Sequence, residues 1–305
     1  MKTFLIALAM ACVAVPGAAQ PTAPPRDSIV VTPAWLAQHL HDPDLVIVQV
    51  GVKATYDAGH IPGARFVNFS TDLAGGDRTG QGLTLEMLPA DVLHDRLAAL
   101  GISSTSRVIV CESDDWWSPS TRVMFTLDYA GLTRTAWLDG GFTAWKAAGQ
   151  PTTTDVPAVV PGKLSALAVK PIVVDAEFVQ KHVHAAGYAI VDARAPEFYD
   201  GTQPGGPKQA QKSGHIPGAL SAPFDSFTSE DVRLKSAGDI KAIFDKAGVK
   251  PGDTIVAYCH IGQQATATLF AARTLGHPVL LYDGSFQDWA LRGLPVENPS
   301  AKKRP

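Results

Sequence analysis

The chain has 305 residues, 46% of them hydrophobic and 18% charged, with a formal net charge of -3. That length accommodates two domains, and that charge balance predicts no broad basic surface, which argues against nucleic acid as a partner. Beyond the N-terminus no apolar run is long enough to span a bilayer.

The opening stretch, MKTFLIALAMACVAVPGAAQ, places Lys2 before an apolar run from Phe4 to Val15, followed by small residues. This is the pattern of a secretory signal peptide over residues 1–19, with Gly17 and Ala19 suited to the cleavage site. It predicts a periplasmic or secreted protein with no membrane association after cleavage. A lipoprotein anchored through Cys12 fits less well, because the apolar run continues past that cysteine; an uncleaved anchor is the remaining alternative. Cleavage would leave Cys111 and Cys259, which make no disulfide framework, so stability must come from hydrophobic cores.

The rest of the chain is written twice. Each copy opens on a helix with a predicted N-cap, Thr32 in VTPAWLAQHL and Asp175 in VDAEFVQKHV. A strand follows (45–50; 189–192), then a loop carrying GHIPGA at Gly59–Ala64 and again at Gly214–Ala219. An amphipathic helix (90–100; 237–247) leads to a second strand (108–111; 254–258). After a further helix, a short strand (136–138; 279–282) runs into LDGGFTAW, Leu138–Trp145, or YDGSFQDW, Tyr282–Trp289. Strands alternating with helices predict, in each copy, an α/β domain with a parallel sheet covered on both faces. The predicted organisation is a first domain over 29–150, a linker over 151–171, a second domain over 172–296 and a polar tail over 297–305.

The chemistry concentrates in YCHIGQQA, Tyr258–Ala265. Cys259 follows an apolar strand and precedes a helical pattern, and ligands of open α/β sheets bind beyond the carboxyl ends of strands. A free cysteine is often only a small buried hydrophobe. In a loop that opens a helix, however, unpaired backbone N–H groups and the helix dipole favour the thiolate. Gly262 would let His260, Ile261, Gly262, Gln263 and Gln264 curl their N–H groups around the sulfur. Such a cradle suits a persulfide, a phosphate or an arsenate alike. No arginine closes the loop, which argues against phosphatase chemistry, where a bidentate guanidinium holds the phosphate.

The duplicated GHIPGA, the DARAPEFYDG segment at Asp192–Gly201, the CHIGQQA loop and the DG-x-F-x-x-W endings together resemble the tandem rhodanese-type sulfurtransferases. The resemblance covers nearly all of the chain after the signal segment. It implies two rhodanese-like domains, the first inactive and the second catalytic. Cys259 would take sulfane sulfur from a small donor anion as a persulfide and pass it to a thiophilic acceptor such as cyanide or a thiol. No metal or organic cofactor is implied.

Within that resemblance, Ser113 or Asp114 is the expected counterpart of Cys259, while Cys111 aligns with Ala257 as a core residue. Trp116 and Trp117 would pack on their own domain or wall the cleft. Asp192 and Arg194 match a D-x-R element; Arg194 is either donor-binding or in a structural ion pair, for which Glu197 is a candidate partner. His60 and His215 read as turn residues, Asp139–Gly140 and Asp283–Gly284 as turns, and Trp145 and Trp289 as core anchors. Two departures stand out. His260 and Ile261 fit neither the basic pair of thiosulfate-specific members nor the small pair of mercaptopyruvate-specific ones. Glu197, Phe198 and Tyr199 stand where an arginine usually grips the donor. Candidate replacements are His260 as a switchable cation and Lys208 or Lys212 in the loop before the second GHIPGA; the lysines otherwise read as part of a solvated loop. Thiosulfate is the donor expected first, with 3-mercaptopyruvate the alternative. A non-catalytic persulfide carrier and a Cys111–Cys259 redox pair are readings from other classes.

Overall fold

The computed structural model describes residues 26–301 apart from 78, 80, 114 and 115. The expected signal segment, Asp114 and the last four residues of the expected polar tail thus lie outside the described residues. Two five-stranded sheets carry the architecture, and every strand pair in them is parallel. The first runs in the order β1 (Val30–Val31), β5 (Thr135–Leu138), β4 (Arg107–Glu112), β2 (Leu45–Val50), β3 (Arg65–Val67). The second repeats that order from the other end as β6 (Val173–Val174), β12 (Val279–Tyr282), β11 (Thr254–Tyr258), β7 (Tyr188–Asp192), β10 (Leu220–Ser221). A two-stranded antiparallel hairpin, β8 (Pro204–Gly205) with β9 (Lys212–Ser213), belongs to the second copy and has no counterpart among the described residues of the first.

The local signals behave as their chemistry requires. Thr32 Oγ1 accepts from Trp35 N and Asp175 Oδ1 from Phe178 N, so both expected N-caps hold a helix start. His60 and His215 stack on Tyr56 and Tyr199, with centroids 3.8 and 3.7 Å apart, and bond to those tyrosines' carbonyls. Trp145 and Trp289 are buried anchors whose indole N–H groups donate to the carbonyls of Pro151 and Pro295.

The central strands are buried on both faces, as parallel strands under helices must be. Ile47, Ile109 and Cys111 fill the outer core of the first domain; Ile190, Val256 and Tyr258 fill that of the second. The opposite faces, with Val46, Val48 and Val110 on one side and Val191, Ile255 and Ala257 on the other, share one continuous apolar cluster. The two domains therefore form a single packed unit. Helix Ser118–Tyr129 of the first lies against helix Gln264–Thr274 of the second, and the Thr121 and Thr266 hydroxyls meet at 3.0 Å. At the far end of the same pair, Asp128 Oδ2 and Arg273 Nη1 are 3.3 Å apart. Trp117 is buried in this shared cluster and packs on Trp137 and, across the boundary, Phe270; Trp116 is half exposed.

Strand register corrects the expected match between the copies. Val110 pairs with Trp137 and Ala257 with Leu281, and those partners each stand directly before the last strand residue of their DG turn. Val110 therefore corresponds to Ala257, Cys111 to Tyr258, and Glu112 to Cys259. The alignment over Ser113 or Asp114 slips because the first loop is longer. Glu112 and Thr121 are nine positions apart, Cys259 and Thr266 seven. Cys111 is a core residue as expected, but it faces the outer core. Cys111 and Cys259 are both free, and they belong to different clusters, so the redox pairing has no geometric basis.

Candidate active site

Cys259 stands directly after β11, fully buried in the shared cluster. Its backbone N–H donates to Ser285 Oγ at 3.1 Å, and Ser285 Oγ donates to the Tyr282 carbonyl. The loop from Cys259 to Gln263 is held by its carbonyls. Phe286 N donates to the Cys259 carbonyl and Gln287 N to the His260 carbonyl, each at 3.0 Å, so the start of helix Ser285–Leu291 fastens two peptide units. Arg122 Nη1 donates to the Gly262 carbonyl at 2.8 Å and fastens a third. In a trans peptide the C=O and the following N–H point in opposite directions. The N–H groups of His260, Ile261 and Gln263 are accordingly turned to the other side of the loop. The N–H groups from His260 to Gln264 donate to no protein acceptor among the described residues. A row of unspent donors next to a thiol is a site for an anion on sulfur.

Gly262 adopts φ +83°, a left-handed conformation; a Cβ there would lie 2.5 Å from the Asp283 carbonyl oxygen and 3.1 Å from Arg122 Nη1. Both the turn and the close approach require glycine, as expected for the cradle.

The expected donor-binding side chains come out differently. Arg194 is fully buried in an ion pair with Asp192, Nη2 to Oδ2 at 2.6 Å, and not with Glu197. Its Nη2 also donates to the Gly214 carbonyl, and the guanidinium lies 3.9 Å from the Phe286 ring centroid. Burial alone would lower this guanidinium, but the Asp192 carboxylate prevails and holds it above its ordinary value. Its unpaired Nη1 faces Gly205 of the β8–β9 hairpin, where a Cβ would come within 2.6 Å. Arg194 is thus a pillar beside the loop.

His260 is corrected more sharply. Burial, with the Arg194 charge adding to it and Asp192 partly opposing, pushes its imidazole down to about 4. It is a neutral ring at pH 7, edge-on to Phe198 at 4.5 Å, and not a cation. Lys212 Nζ donates to the Leu294 carbonyl, past the end of the helix whose start holds the Cys259 loop. Lys208 is exposed on a short 3-10 turn. Neither lysine is brought to the sulfur.

The site contains elements that sequence reasoning missed. Arg122, in the first copy, reaches 140 positions along the chain to the loop, and the same Nη1 donates to Asp283 Oδ1 at 2.6 Å while Nη2 donates to the Leu85 carbonyl. Segment 82–87 covers the second copy: Met87 N donates to Asp283 Oδ2 at 2.7 Å, and Gln287 bonds Thr84 and Gly82. The relationship is reciprocal, since Leu234 N donates to Asp139 Oδ1 at 2.8 Å. The DG aspartates are therefore cross-domain acceptors as well as turn residues. No sequence pattern announces a contact made only after two domains dock.

Residues 32–148 and 175–292 each match the family described as the rhodanese-like domain. Among curated proteins, a sulfur carrier protein of Thermus thermophilus is 30% identical over 88% of this chain and 96% of its own length. The thiosulfate sulfurtransferase of Pseudomonas aeruginosa is 31% identical over 86% of this chain and 93% of its own. Among solved structures, the 3-mercaptopyruvate sulfotransferase SseA of Escherichia coli superposes with a TM-score of 0.72 at 28% identity, covering 85% of this chain and 98% of that one. The chain belongs to the rhodanese-like family and carries two copies of its domain.

Proposed function

We propose that this protein is a sulfurtransferase that moves sulfane sulfur from thiosulfate, or a related donor, to a thiophilic acceptor through a persulfide on Cys259. The observation that carries the reading is the cradle itself: unspent backbone donors beside one cysteine, its carbonyls fastened away from it. The sulfurtransferases it resembles over most of its length support the same chemistry.

The Cys259 thiolate attacks the outer sulfur of thiosulfate; the S–S bond breaks and sulfite leaves with the bonding pair. An acceptor such as cyanide then attacks the terminal sulfur of the persulfide, leaves as thiocyanate, and returns the thiolate. No electron enters or leaves, so the cycle requires no cofactor or metal. The N–H groups of His260 to Gln264 stabilise the anion on sulfur in both half-reactions. Because Cys259 is fully buried, side chains over it must move aside to admit the donor, and the same burial shields the persulfide from water. Cyanide–thiosulfate assays on wild type and Cys259→Ser, with 3-mercaptopyruvate and thiosulfonates alongside, test this; full activity in Cys259→Ser overturns it.

A second reading, a persulfide carrier that turns over no small donor, is favoured by the charges. Arg194 is paired, His260 is neutral and Lys212 is tied to Leu294. A cyanide-removable sulfur on the purified protein without a steady-state rate would select it. Lys2, the apolar run to Val15 and the small residues Gly17 and Ala19 support export to a periplasm. Sequencing the N-terminus of the mature protein tests this; an intact residue 1 contradicts it.

A further inference from the structure

We propose that Arg122, carried by the first copy, is a positioning residue for sulfur transfer in the second, aiming the Gln263 N–H at Cys259 by holding the Gly262 carbonyl. The proposal rests on Cys259 as the sulfur acceptor.

Its basis is a single guanidinium spent on three segments. Arg122 is almost fully buried and bonds the Gly262 carbonyl of the sulfur loop, the Asp283 carboxylate of the turn before Ser285, and the Leu85 carbonyl of the covering segment. Two of these flank the sulfur directly: Gly262 lies in its loop, and the turn carries the Ser285 hydroxyl that accepts from Cys259 N. A planar fork can serve acceptors in fixed directions, which a lysine cannot. The other fastened carbonyls of the loop, those of Cys259, His260 and Gln263, are held by the second domain's own helices. The Gly262 peptide, with its left-handed φ, is held by the first domain. Without Arg122 the Gly262 carbonyl has no hydrogen-bond partner among the described residues, and the Gln263 N–H on the same peptide loses the anchor that sets its direction. The first copy, lacking a cysteine at its own matching position, thereby retains a part in the chemistry.

The test uses the full chain as wild type, Arg122→Met, Arg122→Lys and Asp128→Asn. The last weakens the Arg273 ion pair at the far end of the same interface and leaves the loop alone. Cyanide-releasable sulfur titrates loaded Cys259, and kcat is expressed per titrated site beside the thermal midpoint. Arg122→Met is expected to lose about tenfold or more in kcat per loaded site at unchanged KM for thiosulfate, with Arg122→Lys between it and wild type. Asp128→Asn is expected to lower the midpoint and keep the wild-type kcat per site. Wild-type kcat per site in Arg122→Met overturns the proposal, as does an equal loss in Asp128→Asn. Should Arg122→Met not fold, wild-type kcat per site in Arg122→Lys overturns it instead. Absence of releasable sulfur on the wild-type protein removes the sulfurtransferase reading itself, and is told apart by that.

Discussion

Glu112 stands in the first copy where Cys259 stands in the second, each directly beyond the matching strand residue, Cys111 or Tyr258. Its carboxyl is buried, with Oε2 accepting from Trp137 Nε1 at 2.7 Å and from Ser120 Oγ at 3.0 Å. Oε1 has no hydrogen-bond partner among the described residues and lies against the turn at Gly141, where a Cβ would come 2.5 Å from it. Gly141 is the counterpart of Ser285, so the pair has changed together: a cysteine with a serine in one copy, a glutamic acid with a glycine in the other.

Burial pushes the Glu112 carboxyl up to about 8, against the lowering effect of the Trp137 and Ser120 donors and of its own backbone N–H. The folded chain therefore holds a proton that the unfolded chain releases near 4.5. Stability from this group is complete below the unfolded value and is lost as pH rises toward the folded one, by on the order of 4 kcal/mol. Glu112→Gln lacks that slope. Urea unfolding of both proteins at intervals from pH 5 to 8 should show the variant gaining on wild type as pH rises; a constant difference contradicts a buried neutral carboxyl.

Because the folded His260 takes up its proton only near 4, its ring contributes no titration between pH 5 and 8. The shape of the rate profile in that range should be the same in wild type and His260→Gln. A limb near 6.5 present only in wild type would show that the imidazole is the donor-holding cation after all.

Arg194 and Asp192 form a pair with no solvent exposure, so removing one partner strands the other's charge. Arg194→Met should lose about 3–5 kcal/mol in denaturant unfolding, and Arg194→Met with Asp192→Asn should recover part of it. A loss in activity with stability intact would return Arg194 to a donor-binding role.

Gly262→Ala places a methyl against backbone in a left-handed residue. A fall of about tenfold or more in activity is expected, with about 1–2 kcal/mol lost in stability. Unchanged kinetics would mean the loop tolerates a different path and the cradle is not fixed by this turn.

The duplicated landmarks made most of the fold legible: GHIPGA and the DG turns recur because each packs or turns in the same way twice. The edge strands were not legible, since β1, β6 and β10 have two residues each and two residues show no period. The match of Cys259 to Glu112 was lost to a longer loop and appears only in strand register. Position identified the nucleophile candidate and its glycine, but not what the neighbours spend their charges on. Arg194, His260 and Lys212 are set by burial and by partners distant in sequence. Arg122 belongs to the docked pair of domains and to neither copy alone.

The most direct test loads the purified protein with thiosulfate and locates the added sulfur by intact mass and peptide mapping. One cyanide-removable sulfur atom is expected on the peptide containing Cys259, and none on Cys111 or in Cys259→Ser. Sulfur carried by Cys111, or retained by Cys259→Ser, would contradict it.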